Sequence, residues 1–330
     1  FCTLLKNNFF KLTNTMTCGL TCALAAIGTA AVVYVAVRIL SFIRSSFLVT
    51  VNLKKKYAKA GNWAVVTGAS EGIGQAMSFE LAKRGFNVCV IARSKDKLAA
   101  VESEIQTKYS VEAKSISFDF STAGAAEYKA LFAQLDALEL AVLVNNVGVN
   151  YQYANYFDEV DIEEDLRIVK VNCEAQLQMS KYALRRLKPK RCGAIVSLAS
   201  FTATTPSPML ATYAATKSFN LGFSQSLAYE AKGCGIDVLA VTPNLVISRM
   251  TTGVSTKAPK PSFLKVAASP MARQTLNQLG NSTVTSGHRN HAIIEGILSL
   301  LPTSFVAGKI LAMHKDVKRR AERKLQQGKQ

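Results

Sequence analysis

WAVVTGASEGIG, residues 63–74, is the most informative stretch of this chain. Its first five residues are mostly apolar or β-branched and predict a buried strand. Gly68, Gly72 and Gly74 follow, and residues 75–84 then repeat apolar side chains at helical spacing. Glycines let the backbone approach a pyrophosphate, while the N-terminus of the helix supplies N–H donors and a partial positive charge. The strand, the turn and the helix together predict a seat for a dinucleotide.

Further apolar runs in the chain indicate the rest of a sheet. The run 140–144 is apolar without alternation, which is typical of a strand covered on both faces and therefore of a parallel sheet. Other runs of this kind are residues 87–92, 113–118 and 193–200. The sequence therefore predicts an α/β fold with a doubly wound parallel sheet, in which ligands bind beyond the carboxyl ends of the strands.

Two side chains at the ends of predicted strands bear on the choice of cofactor. Arg93 ends the second strand, where an acidic residue would bind the ribose hydroxyl of NAD and an arginine suits the 2′-phosphate of NADP. Its guanidinium fork matches a phosphate, so the sequence favours NADPH over NADH. Asp119 follows the third strand and has two interpretations. It accepts a hydrogen bond from the adenine amino group, or it caps a turn before Ser121 and Thr122.

Ser200, Tyr213 and Lys217 form the pattern S-x12-Y-x3-K downstream of the glycine turn. Tyr213 and Lys217 are four residues apart on a predicted helix, so they share one face. A free tyrosine has a pKa near 10, and we expect the ammonium of Lys217 to lower it. Ser200 can then bind a developing oxyanion while Tyr213 acts as the general acid. The pattern predicts hydride transfer between a nicotinamide and a carbon–oxygen bond.

The net charge and the cysteine and histidine content indicate which classes of ligand the protein binds. The chain has 330 residues, a formal net charge of +18 and 49% hydrophobic residues. The positive charge indicates anionic partners such as phosphorylated cofactors, coenzyme A esters or lipid surfaces. Neither zinc-finger spacing nor an RNA-binding aromatic motif supports nucleic acid. The odd number of cysteines and the absence of CxxC predict reduced thiols, and the three histidines lack the spacing of a metal site.

The segment Cys18–Val37 carries no charge and predicts an N-terminal transmembrane helix, because about twenty apolar residues suffice to cross a bilayer. A cleaved signal peptide is the alternative, although its apolar core is usually only about 7–15 residues long. Lysines and arginines are more numerous after this segment than before it. The larger C-terminal part is therefore expected on the cytosolic side.

The C-terminal region is expected to meet either the membrane or the substrate. Residues 292–312 are mostly apolar but are interrupted by Glu295, Pro302 and Lys309. They predict a helix pair on the membrane surface, with a lid over the substrate as the alternative. The basic stretch 315–329 lies on anionic headgroups or is simply solvated. The predicted organisation is an anchor and basic linker (1–60), a catalytic domain (61–255), and a substrate loop with a basic tail (256–330).

The combined motifs resemble those of the short-chain dehydrogenase/reductase family. The matching pieces are TGASEGIG at 67–74, NNVG at 145–148, Asn172 within KVN, and the Ser200, Tyr213 and Lys217 pattern. The resemblance covers roughly residues 62–250 and implies one sheet of about seven parallel strands. It also implies a fourth catalytic residue, Asn172, that holds the water of a proton relay through Lys217. We expect no metal, and cofactor contacts from Gly68, Ser70, Gly72, Ile73, Gly74, Arg93, Asp119, Asn145, Tyr213, Lys217, Pro243 and Val246.

Other features are similar to those of microsomal 3-oxoacyl-CoA reductases and their hydroxysteroid dehydrogenase relatives. These features are the apolar segment, Arg93 within IARSKDKL, and the sequence Pro243-Asn244-Leu245-Val246. The resemblance implies NADPH-dependent reduction of 3-oxoacyl-CoA in fatty-acid elongation at the endoplasmic reticulum. The implied partners are acyl-CoA, membrane lipids, other elongation-cycle enzymes and a second copy of the chain in a homodimer.

Two alternatives to this function stay open. The first is a steroid or retinoid carbonyl reductase, which only the substrate loop Ile247–Pro270 would distinguish. The second is a catalytically silent membrane scaffold, against which the intact set of Asn172, Ser200, Tyr213 and Lys217 argues.

Overall fold

The strand before the glycine turn is an interior strand of one parallel sheet in the computed structural model, which describes residues 2–44, 50–248, 250 and 260–327. The strands are β1 (Trp63–Thr67), β2 (Asn87–Ala92), β3 (Ala113–Ser117), β4 (Leu140–Asn145), β5 (Gly193–Leu198), β6 (Ile236–Val241) and β7 (Val284–Thr285). Their order is β3-β2-β1-β4-β5-β6-β7, and every neighbouring pair is parallel. The predicted doubly wound parallel sheet is confirmed.

Helices connect the strands and cover the sheet. They are α1 (Cys2–Ile43), α2 (Leu53–Tyr57), α3 (Gly72–Lys83), α4 (Lys95–Tyr109), α5 (Ala125–Asp136), α6 (Ile162–Val169), α7 (Ala175–Leu187), α8 (Ala211–Lys232), α9 (Ala268–Gln278), α10 (Arg289–Leu298) and α11 (Thr303–Gln327). Helix α3 packs against α4 and α9, and α6 packs against α8. All six residues of β4 and all six of β5 are buried. This burial explains why these strands are apolar without alternation.

The reversal of chain direction beside β1 positions the ligand site. The chain runs outward from β1 through β2 to β3, and then returns to place β4 on the other side of β1. In an open parallel sheet a crevice forms at this point, beyond the carboxyl ends of the strands.

The chain divides into two compact units, residues 1–49 and residues 50–330. The first unit contains α1, and the predicted span Cys18–Val37 lies inside that helix. Within the part of the chain that the structure describes, no helix is both long and apolar enough to cross a membrane. The predicted transmembrane helix is therefore not confirmed.

The start of the second unit differs from the linker expected up to residue 60. Leu53 and Tyr57 of α2 are buried in the core. The hydroxyl of Tyr57 donates a hydrogen bond of 2.8 Å to Asp237 on β6, and Lys56 forms an ion pair of 2.8 Å with the same carboxylate. The basic stretch 53–57 is thus a folded part of the second unit.

Candidate active site

The turn between β1 and α3 requires glycine at two positions, because a side chain there would collide with neighbouring backbone. Gly68 has a φ of +63°, and a Cβ there would lie 2.9 Å from the Cα of Val147. A Cβ on Gly74 would lie 2.3 Å from the carbonyl oxygen of Gly68. The side-chain amide of Asn146 donates to the carbonyls of Thr67 and Gly68, at 2.9 and 3.0 Å. These contacts hold the turn tight against the end of β4 and fix the N-terminus of α3 beside it.

A cavity of about 650 Å³ opens beside this turn. It collects residues that are far apart in sequence, from the turn after β1 to the segment after β6. The predicted site residues that line it are Gly68, Ser70, Gly72, Ile73, Arg93, Asp119, Ser200, Tyr213, Lys217, Pro243 and Val246. The cofactor and catalytic candidates thus share one cavity.

Three predicted site residues do not line this cavity: Gly74, Asn145 and Asn172. Gly74 lies behind the turn, against Gly68. Asn145 is buried and its amide donates to the hydroxyl of Ser180 at 2.9 Å, so it serves the packing of β4. Its neighbour Asn146 lines the cavity instead. The difference arises because successive side chains of a strand point to opposite faces.

Ser200, Tyr213 and Lys217 line the same cavity as the glycine turn. Ser200 follows β5, and Tyr213 and Lys217 lie on the first turns of α8. The hydroxyl of Ser200 forms a hydrogen bond with the phenol of Tyr213. Lys217 Nζ donates to the carbonyl of Leu198 at 2.9 Å and lies 5.7 Å from the centroid of the Tyr213 ring. A phenol, a hydroxyl and an ammonium therefore converge on one point.

The pKa of Tyr213 differs from the sequence expectation. Burial raises the pKa of its phenol to about 12, although the hydrogen bond from Ser200 opposes this rise. Burial also lowers the pKa of Lys217 to about 8. The lysine does not lower the tyrosine pKa as expected, since its ammonium is buried and donates to Leu198 rather than to the phenol. At neutral pH the phenol holds its proton, as a general acid requires.

Asn172 lies behind this group in a π-helical turn, Lys170–Glu174, between α6 and α7. Its side chain exchanges hydrogen bonds with the backbone of Val149, at 2.8 and 3.0 Å, and donates to Thr216 Oγ1 at 3.0 Å. A Cβ on Gly148 would lie 3.3 Å from both Asn172 Oδ1 and Lys217 Nζ. Asn172 thus connects the NNVG segment to α8. Such π-helical turns are frequent at functional sites.

Charged residues gather where the cavity passes the ends of β2 and β3. Arg93 lines it from the turn after β2, Lys97 from the first turn of α4, and Arg167 from α6. Asp119 Oδ1 accepts hydrogen bonds from the backbone N–H and the hydroxyl of Ser121, at 2.8 and 2.6 Å. Asp119 therefore caps a turn, as one of its two interpretations stated, and also faces the cavity.

Comparison with known proteins places this fold and site in a family. Residues 62–259 match the family model described as short chain dehydrogenase. The chain belongs to the short chain dehydrogenase family. It is 38% identical to a very-long-chain 3-oxoacyl-CoA reductase of Anas platyrhynchos, over 79% of this chain and 82% of that protein. It is 35% identical to the protein of the same name from Laccaria bicolor, over 92% of this chain and 90% of that protein.

Solved structures agree with the family assignment. An actinorhodin polyketide ketoreductase, determined with NADPH, superposes with a TM-score of 0.55 and is 30% identical. The match covers 59% of this chain and 75% of that one.

Some residues of this short chain dehydrogenase site were not assigned from sequence. Lys97 lies within the IARSKDKL stretch and could have been found from its helical spacing to Arg93. Arg167 and His291 gave no sequence signal. His291 is buried, and its Nδ1 accepts a hydrogen bond of 3.3 Å from the backbone N–H of Asn244. Burial lowers the pKa of His291 to about 4, so a neutral imidazole supports the segment Pro243–Val246.

The C-terminal helix α11 contacts the segment before α8 and the segment before α6. His314 Nδ1 lies 2.7 Å from the carbonyl oxygen of Pro208, which precedes α8. Lys318 is 15% exposed, forms an ion pair with Glu159 and lies 5.2 Å from the ring centroid of Tyr156. The sequence offered two interpretations of the basic stretch 315–329, contact with anionic headgroups or solvation, and Lys318 fits neither of them. Residues 328–329 of that stretch, and residues 249 and 251–259 of the predicted substrate loop, lie outside the described residues.

Proposed function

We propose that this protein reduces 3-oxoacyl-CoA to 3-hydroxyacyl-CoA with NADPH, as a step of fatty-acid elongation. The observation that carries the proposal is the convergence of Ser200, Tyr213 and Lys217 in the cavity that begins at the glycine turn. The names of the curated relatives support the acyl-CoA substrate. Their similarity extends over most of this chain.

The residues of the cavity fit a nicotinamide dinucleotide phosphate. The close backbone approach at Gly68 and the N-terminus of α3 suit a pyrophosphate. Arg93 and Lys97 offer cations for a 2′-phosphate. Lys97 is held by an ion pair of 2.7 Å with Glu71, at the rim of the same cavity. When bound, NADPH supplies the hydride that goes to the carbonyl carbon.

The chain's own residues handle the proton and the charge. Tyr213 gives its phenolic proton to the carbonyl oxygen, and Ser200 donates a hydrogen bond to the same oxygen as negative charge develops. Lys217 adds a positive charge to the site, because its ammonium is largely protonated below its pKa of about 8, lies 5.7 Å from the centroid of the Tyr213 ring and donates to the carbonyl of Leu198. Asn172 keeps Val149 and α8 in register behind the reacting groups.

The experiment that tests this function is NADPH consumption by the purified full-length chain with 3-oxoacyl-CoA thioesters, steroid ketones and retinal. We expect turnover with the thioesters, and loss of turnover in Tyr213→Phe. Turnover with steroids or retinal alone would overturn the acyl-CoA substrate. A protein that binds NADPH but reduces no carbonyl compound would instead be a scaffold.

We also propose that the protein acts at the endoplasmic reticulum membrane, with residues 50–330 on the cytosolic side. A long acyl chain partitions into the bilayer, because its apolar surface leaves water. The net charge of +18 favours anionic lipid surfaces. Exposed apolar residues of α10 and its neighbourhood, Ile297, Leu300 and Phe305, support contact with lipid. Subcellular fractionation with protease protection checks both statements, and residues 50–330 protected inside the lumen would contradict the second.

We further propose that the protein forms a homodimer and associates with other elongation-cycle enzymes. Large apolar side chains remain exposed on α6, α7 and α8. They are Ile162, Leu166, Val169, Leu177, Phe219 and Tyr229. A second copy of the chain could cover them. Cross-linking of the purified protein at increasing concentration tests the homodimer, and a monomer at all concentrations would contradict it.

A further inference from the structure

Arg167 is an unassigned cation at the rim of the cavity. It lies on α6, which follows β4, whereas Arg93 reaches the cavity from the turn after β2 and Lys97 from the first turn of α4. Since β2 and β4 are the two neighbours of β1, these cations approach from opposite sides of the glycine turn. The side chain of Arg167 is about one-third exposed, so a ligand in the cavity can reach it.

Glu164 fixes the guanidinium of Arg167 in place. Its carboxylate accepts hydrogen bonds from Nε at 2.8 Å and from Nη2 at 2.6 Å, in a two-pronged arrangement within one turn of α6. A guanidinium paired through two donors has its charge largely balanced, so it suits a phosphate less well than the ammonium of Lys97, whose contact with Glu71 uses one of three donors. The Arg167 side chain is about one-third exposed, and arginine stacks readily on aromatic rings.

Arg167 and Arg93 both interact electrostatically with the carboxylate of Asp119. Burial opposes ionisation of Asp119, but hydrogen bonds from Ser121 and the positive charges of Arg93 and Arg167 outweigh it, so the pKa of this carboxyl is lowered. Both arginines therefore act on the same carboxylate, from different elements. Asp119 is expected, in one of its two interpretations, to accept the adenine amino group, and a base held there would lie within reach of Arg167.

We propose that Arg167, held by Glu164, stacks against the adenine ring of the cofactor and contributes to the affinity for NADPH and NADH alike. The proposal depends on the proposed use of a nicotinamide dinucleotide, but not on the acyl-CoA substrate. It divides the adenosine end into two functions. Arg93 and Lys97 select for the 2′-phosphate, and Arg167 binds the base that both cofactors share.

The test is binding of NADPH and NADH to the full-length protein without acyl substrate, followed by nicotinamide fluorescence. Arg167→Met keeps a long apolar stem but removes the guanidinium. We expect the Kd of both cofactors to rise by the same factor, about 3- to 10-fold. Arg93→Gln is expected to weaken NADPH much more than NADH. Glu164→Gln, which loosens the arginine without removing it, should give a smaller equal rise for both cofactors.

A matched control is Arg186→Met. Arg186 lies on α7, is 38% exposed and pairs with Asp136 at 3.7 Å, but does not line the cavity. This variant should bind both cofactors as the unmodified protein does. Reduced nicotinamide mononucleotide, which lacks adenosine, should bind Arg167→Met and unmodified protein equally, which shows that the variant is folded.

Two outcomes would overturn the proposal. A rise in Kd for NADPH alone would place Arg167 on the phosphate. Unchanged Kd values for both dinucleotides would remove it from the cofactor site. Failure to bind any nicotinamide dinucleotide, in the unmodified protein too, would instead contradict the proposed function.

Discussion

The two ends of the cavity are built in different ways. The proposed cofactor end is formed by the turn at Gly68, with Gly74 packed behind it, within one short strand-turn-helix unit whose close approaches only glycine permits. The catalytic end is assembled from the ends of β5 and β6, the first turns of α8, and supports from α10 and α11. A local constraint leaves a local signature in the sequence. An end assembled from distant segments can be predicted from the sequence only through its few chemically distinctive residues.

The largest expected effect is a fall in kcat that leaves the affinity for the cofactor unchanged. Tyr213→Phe removes the proton donor of the catalytic end, but leaves the ring that packs with Tyr151 and Ile168. We expect kcat for ketone reduction to fall by about 10³- to 10⁴-fold. The Kd for NADPH should stay within about threefold, since the cofactor end is untouched. Single-turnover kinetics and fluorescence titration measure the two quantities. A parallel loss of cofactor affinity would mean that the ends are not independent.

Arg93→Asp changes the cofactor end alone. It places a carboxylate where the 2′-phosphate is expected, so the KM for NADPH should rise by about 10- to 100-fold while that for NADH falls. With saturating NADH, kcat should match that of the unmodified protein. Steady-state kinetics with both cofactors give this comparison. An unchanged preference for NADPH would remove Arg93 from the phosphate site.

The pH dependence of reduction tests Lys217, which lies between the two ends. Its folded pKa of about 8 is lowered from the ordinary lysine value, so the ammonium is present below this pH and is lost as the pH rises through it. Tyr213, with a pKa of about 12, remains protonated over that range. We expect kcat/KM for reduction to be level from about pH 6 to 7 and to fall about tenfold per unit well above pH 8. A level profile to about pH 10 would show that the charge of Lys217 is not required.

The smallest expected effect is a rise in the KM for the acyl substrate when the contact between α11 and the segment before α8 is removed. His314→Ala removes the contact of α11 with the carbonyl of Pro208, just before α8. One such hydrogen bond contributes about 1 kcal/mol, so the KM for the acyl substrate should rise about two- to fivefold. The Kd for NADPH should not change. If cofactor binding weakened instead, the helix would be supporting the opposite end.

The sequence predicted the sheet and most of the cavity lining, for reasons that the structure makes plain. Continuous apolar runs predicted buried parallel strands, and all residues of β4 and β5 are buried. The glycine spacing predicted a turn that a Cβ would obstruct. Ser200, Tyr213 and Lys217 could be found because their chemistry is distinctive at their spacing.

Other features could not be predicted, since they depend on direction or on tertiary contacts. Adjacent asparagines in NNVG point opposite ways, so only the structure distinguishes the core residue Asn145 from the cavity residue Asn146. Arg167 lines the cavity from α6, and His291 on α10 accepts a hydrogen bond from the backbone of Asn244; neither residue belongs to a motif that the sequence analysis used. The rise in the pKa of Tyr213 reflects burial, whereas the expectation considered only the charge of Lys217.

The most direct test of the central claim is a crystal structure of the full-length protein with NADP⁺ and a 3-hydroxyacyl-CoA. We expect Tyr213 Oη and Ser200 Oγ to lie about 2.6–3.2 Å from the C3 oxygen, within hydrogen-bond reach. The nicotinamide ring should lie on the C3 carbon at about 3–3.5 Å, close enough for hydride transfer. A complex in which the Tyr213 hydroxyl points away from the substrate oxygen, or in which the nicotinamide lies outside this cavity, would contradict the proposed mechanism.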